Sequence, residues 1–257
     1  MCIIPKPNQA DYTLPKNFHP ILLLKCLGKL LEKIIVKLIY RDMAKHALVP
    51  TNQFRGCNSS SMLDVGLMLL HNIQLAQQAG LKTGLLLFDI QGFFDNVNHN
   101  RLTQILEDLG FTPELVLWCK SFLKDRLVRL HFNGQNSDPF DFIVGTPQGS
   151  LVSPALSILY MSPLLHKMKT WSNALLGMYI DDGAIFTCGK DWPTVEETLR
   201  KGYHTCIMWL TNAGLNAEPD KTKLIYFRRH GECMGCEPPP IHPPSPTVTQ
   251  HILQVPT

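Results

Sequence analysis

Long apolar runs are missing from this chain. Runs such as "ILLL" and "GLLLF" fall far short of the roughly 20 residues that a membrane helix needs, and the opening "MCIIPKPNQADY" lacks the basic-then-apolar form of a secretory leader. An intracellular protein with no membrane partner is expected. A disulfide framework is missing too: Cys26, Cys119, Cys188 and Cys206 stand singly in apolar or helical stretches, as reduced buried thiols do. Cys233 and Cys236 form one CxxC with His230 and His242 nearby, but without a second pair at finger-like spacing no zinc site is expected. There is no internal repeat. Nor is there a large charge of one sign: a net charge of +3 permits nucleic-acid binding without demanding it.

What is present is a globular composition, 45% hydrophobic and 18% charged over 257 residues, enough for one large domain or two modest ones. Lys25, Lys29, Lys33, Lys37, Arg41 and Lys45 recur every four residues, while Leu27, Leu30, Leu31, Ile34, Ile35, Leu38 and Ile39 repeat at helical spacing. This predicts an amphipathic helix with a basic ridge, broken by one acid, Glu32. A solvated face accounts for any single lysine; the ridge as a whole would also suit phosphates. A polar loop, "TNQFRGCNSSS", and a helix over about 62–79 follow.

"TGLLLFDI" reads as a strand buried on both faces and ending in Asp89. Helices are expected over about 101–109 and from Thr112-Pro113-Glu114 onward. "LVRLHFNGQNSDPFDFIV" reads as a hairpin about Asn133-Gly134, and "GTPQGSLVSP" as a loop feeding a helix over about 155–169. Thr194 and Glu197 have the spacing of a capping box for a helix ended by Gly214, and "TKLIYF" is one more strand. The prolines of "CEPPPIHPPSPT" predict an unpacked linker or tail. Together these give an α+β fold, a small antiparallel sheet with helices on one face.

"LLGMYIDDGAIFTC" sets two aspartates, Asp181 and Asp182, between apolar runs. An Asp-Gly turn at the tip of a hairpin explains them with no chemistry at all. Asp89 changes the balance, because a carboxylate at the end of a buried strand is costly unless paired or bound to a cation. Two strands that each deliver aspartate would meet that cost together by sharing Mg²⁺, a hard cation that takes carboxylate and phosphate oxygens. Two such ions about 3.5–4 Å apart serve in-line phosphoryl transfer.

"FDIQGFFDNV" (residues 88–97), "GTPQGSLVSP" (145–154), "YIDD" (179–182) and "GLNAEPDKTKLIYF" (214–227) resemble, in this order, the palm motifs of reverse transcriptases. "IPKP…DYTLPKNFHPILLLKCLGKLLEKII" followed by "NQF" resembles the fingers of LINE-type, non-LTR retrotransposon polymerases, so that the likeness covers about residues 3–227. It implies a right-hand polymerase with fingers over 1–80 and palm over 81–230. An inserted hairpin at about 126–145 and a tail over 231–257 complete that division. The thumb and the upstream endonuclease of such elements are not expected within these residues.

The resemblance implies that Asp89 and Asp181 are metal-binding catalytic carboxylates, with Asp182 the third acid of the set. It makes Phe94 the bulky side chain that excludes a 2′-hydroxyl, although core packing explains a phenylalanine equally well. Gln148, Gly149 and Tyr179 would meet the incoming nucleotide, and Lys6 a phosphate. Lys221 would be a general acid for the leaving pyrophosphate, against the plainer alternative of a surface lysine. The implied cofactor is Mg²⁺, two ions, with Mn²⁺ as a substitute. The implied partners are an RNA template, a DNA primer and dNTPs, with the full-length element acting in the nucleus or the cytoplasm. His19 departs from the pattern, standing in "FHPIL" where the family has arginine. A truncated, catalytically silent remnant that binds only nucleic acid is the competing expectation, and a group II intron-type maturase shares the chemistry but fits the fingers sequence less well.

Overall fold

The computed structural model describes residues 1–8, 11–14, 17–45, 62–132, 134–171, 174–229 and 249–255. The "TNQFRGCNSSS" loop with Arg55 and the "CMGC" pair lie outside them. Contacts divide the chain into two units, each assembled from two stretches: 1–48 with 92–160, and 49–91 with 161–257. This is not the linear division expected at residue 80. The strand that follows that point hydrogen-bonds to strands more than ninety residues later, so its stretch belongs with them.

A six-stranded sheet forms the later unit. Its order is Thr249–Val255, Lys223–Arg229, Lys82–Gln91, Asp182–Gly189, Ala174–Tyr179, with Asn216–Ala217 beside the end of Lys82–Gln91. All neighbours are antiparallel except Thr249–Val255, which runs parallel to Lys223–Arg229. The expected all-antiparallel sheet and wholly unpacked tail are both corrected here, since the prolines of "CEPPPIHPPSPT" all precede that last strand.

Helices cover both faces of the sheet, not one as expected. Leu85, Phe186 and Phe227 pack on Ile73 of the Met62–Gln78 helix. On the opposite face lies the Trp192–Asn212 helix: Val195 and Leu199 sit over Gly84, Tyr203 meets Phe88 edge-on at 6.0 Å, and Trp192 meets Tyr226 at 5.1 Å. A central strand apolar on both sides requires this arrangement. A Cβ on Gly84 would lie 2.8 Å from Val195 Cγ1, so the helix can seat this deeply only over a glycine. The helix begins before the expected capping box. Asp191, ahead of Trp192-Pro193, accepts a hydrogen bond from Thr194 N at 2.8 Å, while Glu197 pairs with Arg200 and Lys201.

The earlier unit holds a four-stranded sheet in the order Phe18–Ile21, Cys2–Pro5, His131–Phe132, Gln135–Asn136, and a pair of short strands, Leu127–Val128 with Phe140–Asp141. The hairpin expected near Gly134 is present, Gly134 having φ 77°. Helices span Cys26–Lys45, Phe93–Asn96, His99–Asp108 and Pro113–Leu123. Asn98 caps the His99–Asp108 helix by accepting from Arg101 N at 3.0 Å. The Ser153–Lys169 helix contributes residues to each unit.

The Cys26–Lys45 helix keeps its lysine ridge exposed, but its buried row differs from the expected one. Ile35, Ile39 and Met43 are buried together with Glu32, while Leu27, Leu30, Leu31 and Ile34 are exposed. Of the thiols, Cys119 and Cys206 are buried and pushed up to about 12 by that burial, whereas Cys26 is exposed. Among the described residues no helix is long and apolar enough to cross a membrane.

Candidate active site

Three of the carboxylates singled out by sequence lie at one end of the six-stranded sheet. Asp89 is directly opposite Asp182 in the register of Lys82–Gln91 against Asp182–Gly189, so both side chains leave the same face. Tyr179 is opposite Asp182 on the other side, which leaves Ile180 and Asp181 as the two residues of the hairpin loop. Backbone bonds fix the ends: Ile90 N donates to Asp181 O at 3.0 Å, and Glu218 N to Asp89 O at 2.8 Å.

The turn is not made by Asp182-Gly183. Gly183 lies inside the strand without a positive φ, and a Cβ there would come 2.2 Å from Phe88 Cζ. It is glycine because the Phe88 ring crosses it. The positive φ falls instead on Ile180, at 60°, an uncommon backbone conformation for a β-branched residue. Ile180 is 5% exposed, so its buried side chain helps hold the loop in that conformation.

Lys221, on the turn Pro219–Lys221, reaches Asp89 from 132 residues away, Nζ to Oδ2 being 2.9 Å. Burial pushes the Asp182 pKa up, and the charges of Asp181 and Asp89 push it further, with Lys221 working against them. Burial disfavours the Lys221 ammonium, yet its hydrogen bond to Asp89 and the charges of Asp89, Glu218 and Asp181 outweigh that and raise its pKa. An open cleft of about 580 Å³ is lined by Asp89, Tyr179, Asp182, Lys221 and Lys223, among others. Lys223 has no counterpart among the residues picked from sequence; it belongs to "TKLIYF", where only a strand is legible.

Among the described residues no group of three acidic, histidine or cysteine side chains is arranged to hold a metal ion. The donor chemistry nevertheless suits a hard divalent cation. It consists of carboxylate oxygens on neighbouring backbone segments, where burial first and then the charges of Asp181 and Asp89 raise the Asp182 pKa and Lys221 works against them.

Phe94, Gln148, Gly149 and Lys6 belong to the other unit, where they form a second cluster. Thr146 N donates to Phe94 O at 2.6 Å and Gly145 N to Val97 O at 2.9 Å, stitching the "GTPQG" loop to the Phe94 turn. Gly145, at φ 87°, passes so close that a Cβ would sit 2.7 Å from Phe94 O. The Phe94 ring is half-buried, edge-on to Phe93 at 5.8 Å.

Gln148 Nε2 donates to both oxygens of Asp95, at 3.0 and 3.2 Å. Desolvation pushes the Asp95 carboxyl up although part of the residue stays open to solvent; Gln148 and the charge of Lys6 pull it down. The service of Asp95 to Gln148, 53 residues away, has no local signal in the sequence. Gly149, at φ 104°, makes its close approach to Leu22 O, 2.8 Å from where a Cβ would be. His19 is exposed, paired with Ile4 across the two N-terminal strands.

Comparison with known proteins bears on the family and the fold. The family model described as reverse transcriptase (RNA-dependent DNA polymerase) matches residues 4–248. The RNA-directed DNA polymerase from the Drosophila melanogaster mobile element jockey is 29% identical over 85% of this chain. The probable RNA-directed DNA polymerase from transposon BS of the same organism is 27% identical over 86%. The chain spans 24% of the length of each. The apo telomerase of Candida tropicalis, truncated from its C-terminal domain, shares the fold at a TM-score of 0.57, with 18% identity over 79% of this chain and 40% of its own. The motif order, the paired aspartate strands and a family match over nearly the whole length lead to one conclusion: the chain belongs to the reverse transcriptase family, and its relatives are polymerases of LINE-type retrotransposons.

Proposed function

We propose that the chain is the fingers and palm of a LINE-type retrotransposon polymerase, transferring nucleotidyl groups from dNTPs to a primer 3′-hydroxyl under the direction of an RNA template. The observation that carries the reading is the pairing of Asp89 with Asp182 across neighbouring strands, with Asp181 in the loop beside them. The thumb and endonuclease would come from the rest of a longer element acting in the nucleus.

Asp89, Asp181 and Asp182 would hold Mg²⁺, or Mn²⁺ in its place, which when bound lowers the pKa of an attacking hydroxyl and stabilises developing charge on phosphate oxygens. Lys221 keeps its proton beside Asp89 and can pass it to the leaving pyrophosphate. Gln148, held by Asp95, orients the nucleotide, and Lys6 adds a charge for its phosphates. Phe94 excludes the 2′-hydroxyl and Tyr179 lines the cleft.

A second reading, a catalytically silent nucleic-acid-binding remnant, draws on the Lys221–Asp89 pair, in which an ammonium meets the carboxylate that a metal would need. Primer extension on an RNA template with Mg²⁺ separates the two. Extension by the chain that Asp181→Ala abolishes supports the polymerase; RNA binding with no extension by the unaltered chain supports the remnant. A His19→Arg variant that restores extension would place the defect in the hold on triphosphate.

A further inference from the structure

The basic helix Cys26–Lys45 carries a carboxylate in its buried row, with Ile35, Ile39 and Met43 and away from the exposed lysines. Glu32 is 4% exposed. An anion at such a depth is costly without close donors, and Glu32 finds them on one object, the loop that carries Gln148. Its Oε2 accepts from Ser150 Oγ at 2.9 Å and from Leu151 N at 2.8 Å. Ser150 Oγ accepts in turn from Val152 N at 3.1 Å, and Ser153 Oγ donates to Pro147 O at 2.9 Å. Leu22 N donates to Gln148 O at 2.7 Å, so the backbone is held on both sides of Gly149. The Glu32 charge also favours the guanidinium of Arg126 against the burial that lowers its pKa.

We infer that Glu32 is a positioning residue for nucleotide binding: by accepting two hydrogen bonds from residues 150 and 151 it fixes the loop over 147–153 and so the direction from which Gln148 meets an incoming nucleotide. The functional half of the inference rests on the polymerase reading; the loop-fixing half does not. Gln148 is held through its side chain by Asp95, through its carbonyl by Leu22 N, and through the loop that follows it by Glu32, the second hold on that loop's backbone. Losing the second hold leaves the chemistry at Asp89 and Asp181 intact but spreads the loop over many orientations. The expected cost therefore falls on nucleotide affinity rather than turnover.

The test uses the full chain with Glu32→Ala, Glu32→Gln and Ser150→Ala, measuring dNTP KM and kcat on a primed RNA template and amide hydrogen exchange over residues 148–152. Glu32→Ala should raise KM about tenfold with kcat within about twofold, and should speed exchange in the loop. The amide oxygen of Glu32→Gln can accept the same two bonds, so that variant should stay within about threefold of wild type. Ser150→Ala, which keeps the buried acid and its Leu151 bond, should fall between them, and it decides the matter should Glu32→Ala not fold. Loop exchange and KM unchanged in Ser150→Ala, or Glu32→Gln as impaired as Glu32→Ala, would overturn the inference. A wild-type chain that never extends a primer breaks the polymerase reading instead; unchanged loop exchange in the variants then breaks this inference separately.

Discussion

The two units treat their carboxylates in opposite ways. In the loop unit Glu32 sits against neutral donors, Ser150 and Leu151 N, while Asp95 takes the Gln148 amide and the charge of Lys6 against a desolvation that still raises its pKa. In the sheet unit Asp89, Asp181 and Asp182 gather close enough for the charges of the first two to raise the third, with Lys221 as the ammonium on Asp89. Carboxylates satisfied by neutral donors build scaffold, because nothing is gained by a ligand arriving. Carboxylates that repel one another are poised for a cation, because the folded chain leaves part of their cost unmet.

The largest test of that difference is Asp89→Asn against Gln148→Ala. On the polymerase reading, losing Asp89 removes a metal-holding charge and the Lys221 partner together, and primer extension should fall on the order of 10²–10³-fold or more. Gln148→Ala should raise the dNTP KM by about tenfold and leave kcat within about twofold, since it removes binding rather than chemistry. Equal losses of kcat from the two would erase the distinction between the units.

Gly183→Asn comes next, and it sets the turn against the packing explanation of the Asp-Gly pair. A turn glycine accepts asparagine readily. Under the Phe88 ring any Cβ forces a shift, so the variant should lose about 1–3 kcal/mol, or several degrees in thermal midpoint. An unchanged melt would return the glycine to the turn.

That contrast also marks what could be read from sequence. The aspartate at the end of "LLLFDI", the order of the four motifs and the hairpin itself were legible, because each is written in a run of a few residues. The position of the turn was not. Asp-Gly is the stronger local signal, but the pairing of Tyr179 with Asp182 moves the loop to Ile180-Asp181, and register is decided by which face each strand buries. Asp89's partner was illegible because Lys221 is 132 residues distant, and Glu32 looked like an interruption of a lysine ridge because Ser150 is 118 residues away. Helices on both sheet faces were implicit in "TGLLLFDI", read as a strand buried on both faces, though the fold drawn from it placed them on one.

Asp182→Asn probes the smallest effect. The folded chain raises the Asp182 pKa above the ordinary aspartate value of about 3.9, so between those two values the folded state binds more protons than the unfolded state. Stability therefore falls as pH rises through that window and stays lower at neutral pH, the reverse of a salt-bridged aspartate. Asparagine cannot ionise, so in chelator the variant should melt with wild type below about pH 4 and above it at neutral pH, by about 1–2 °C because solvent screens so open a group. Adding Mg²⁺ should raise the wild-type midpoint and narrow the gap, since the cation supplies what the asparagine made unnecessary. A variant that melts below wild type in chelator at neutral pH would mean that Asp182, like Glu32 with its two donors, is a carboxylate the fold already satisfies.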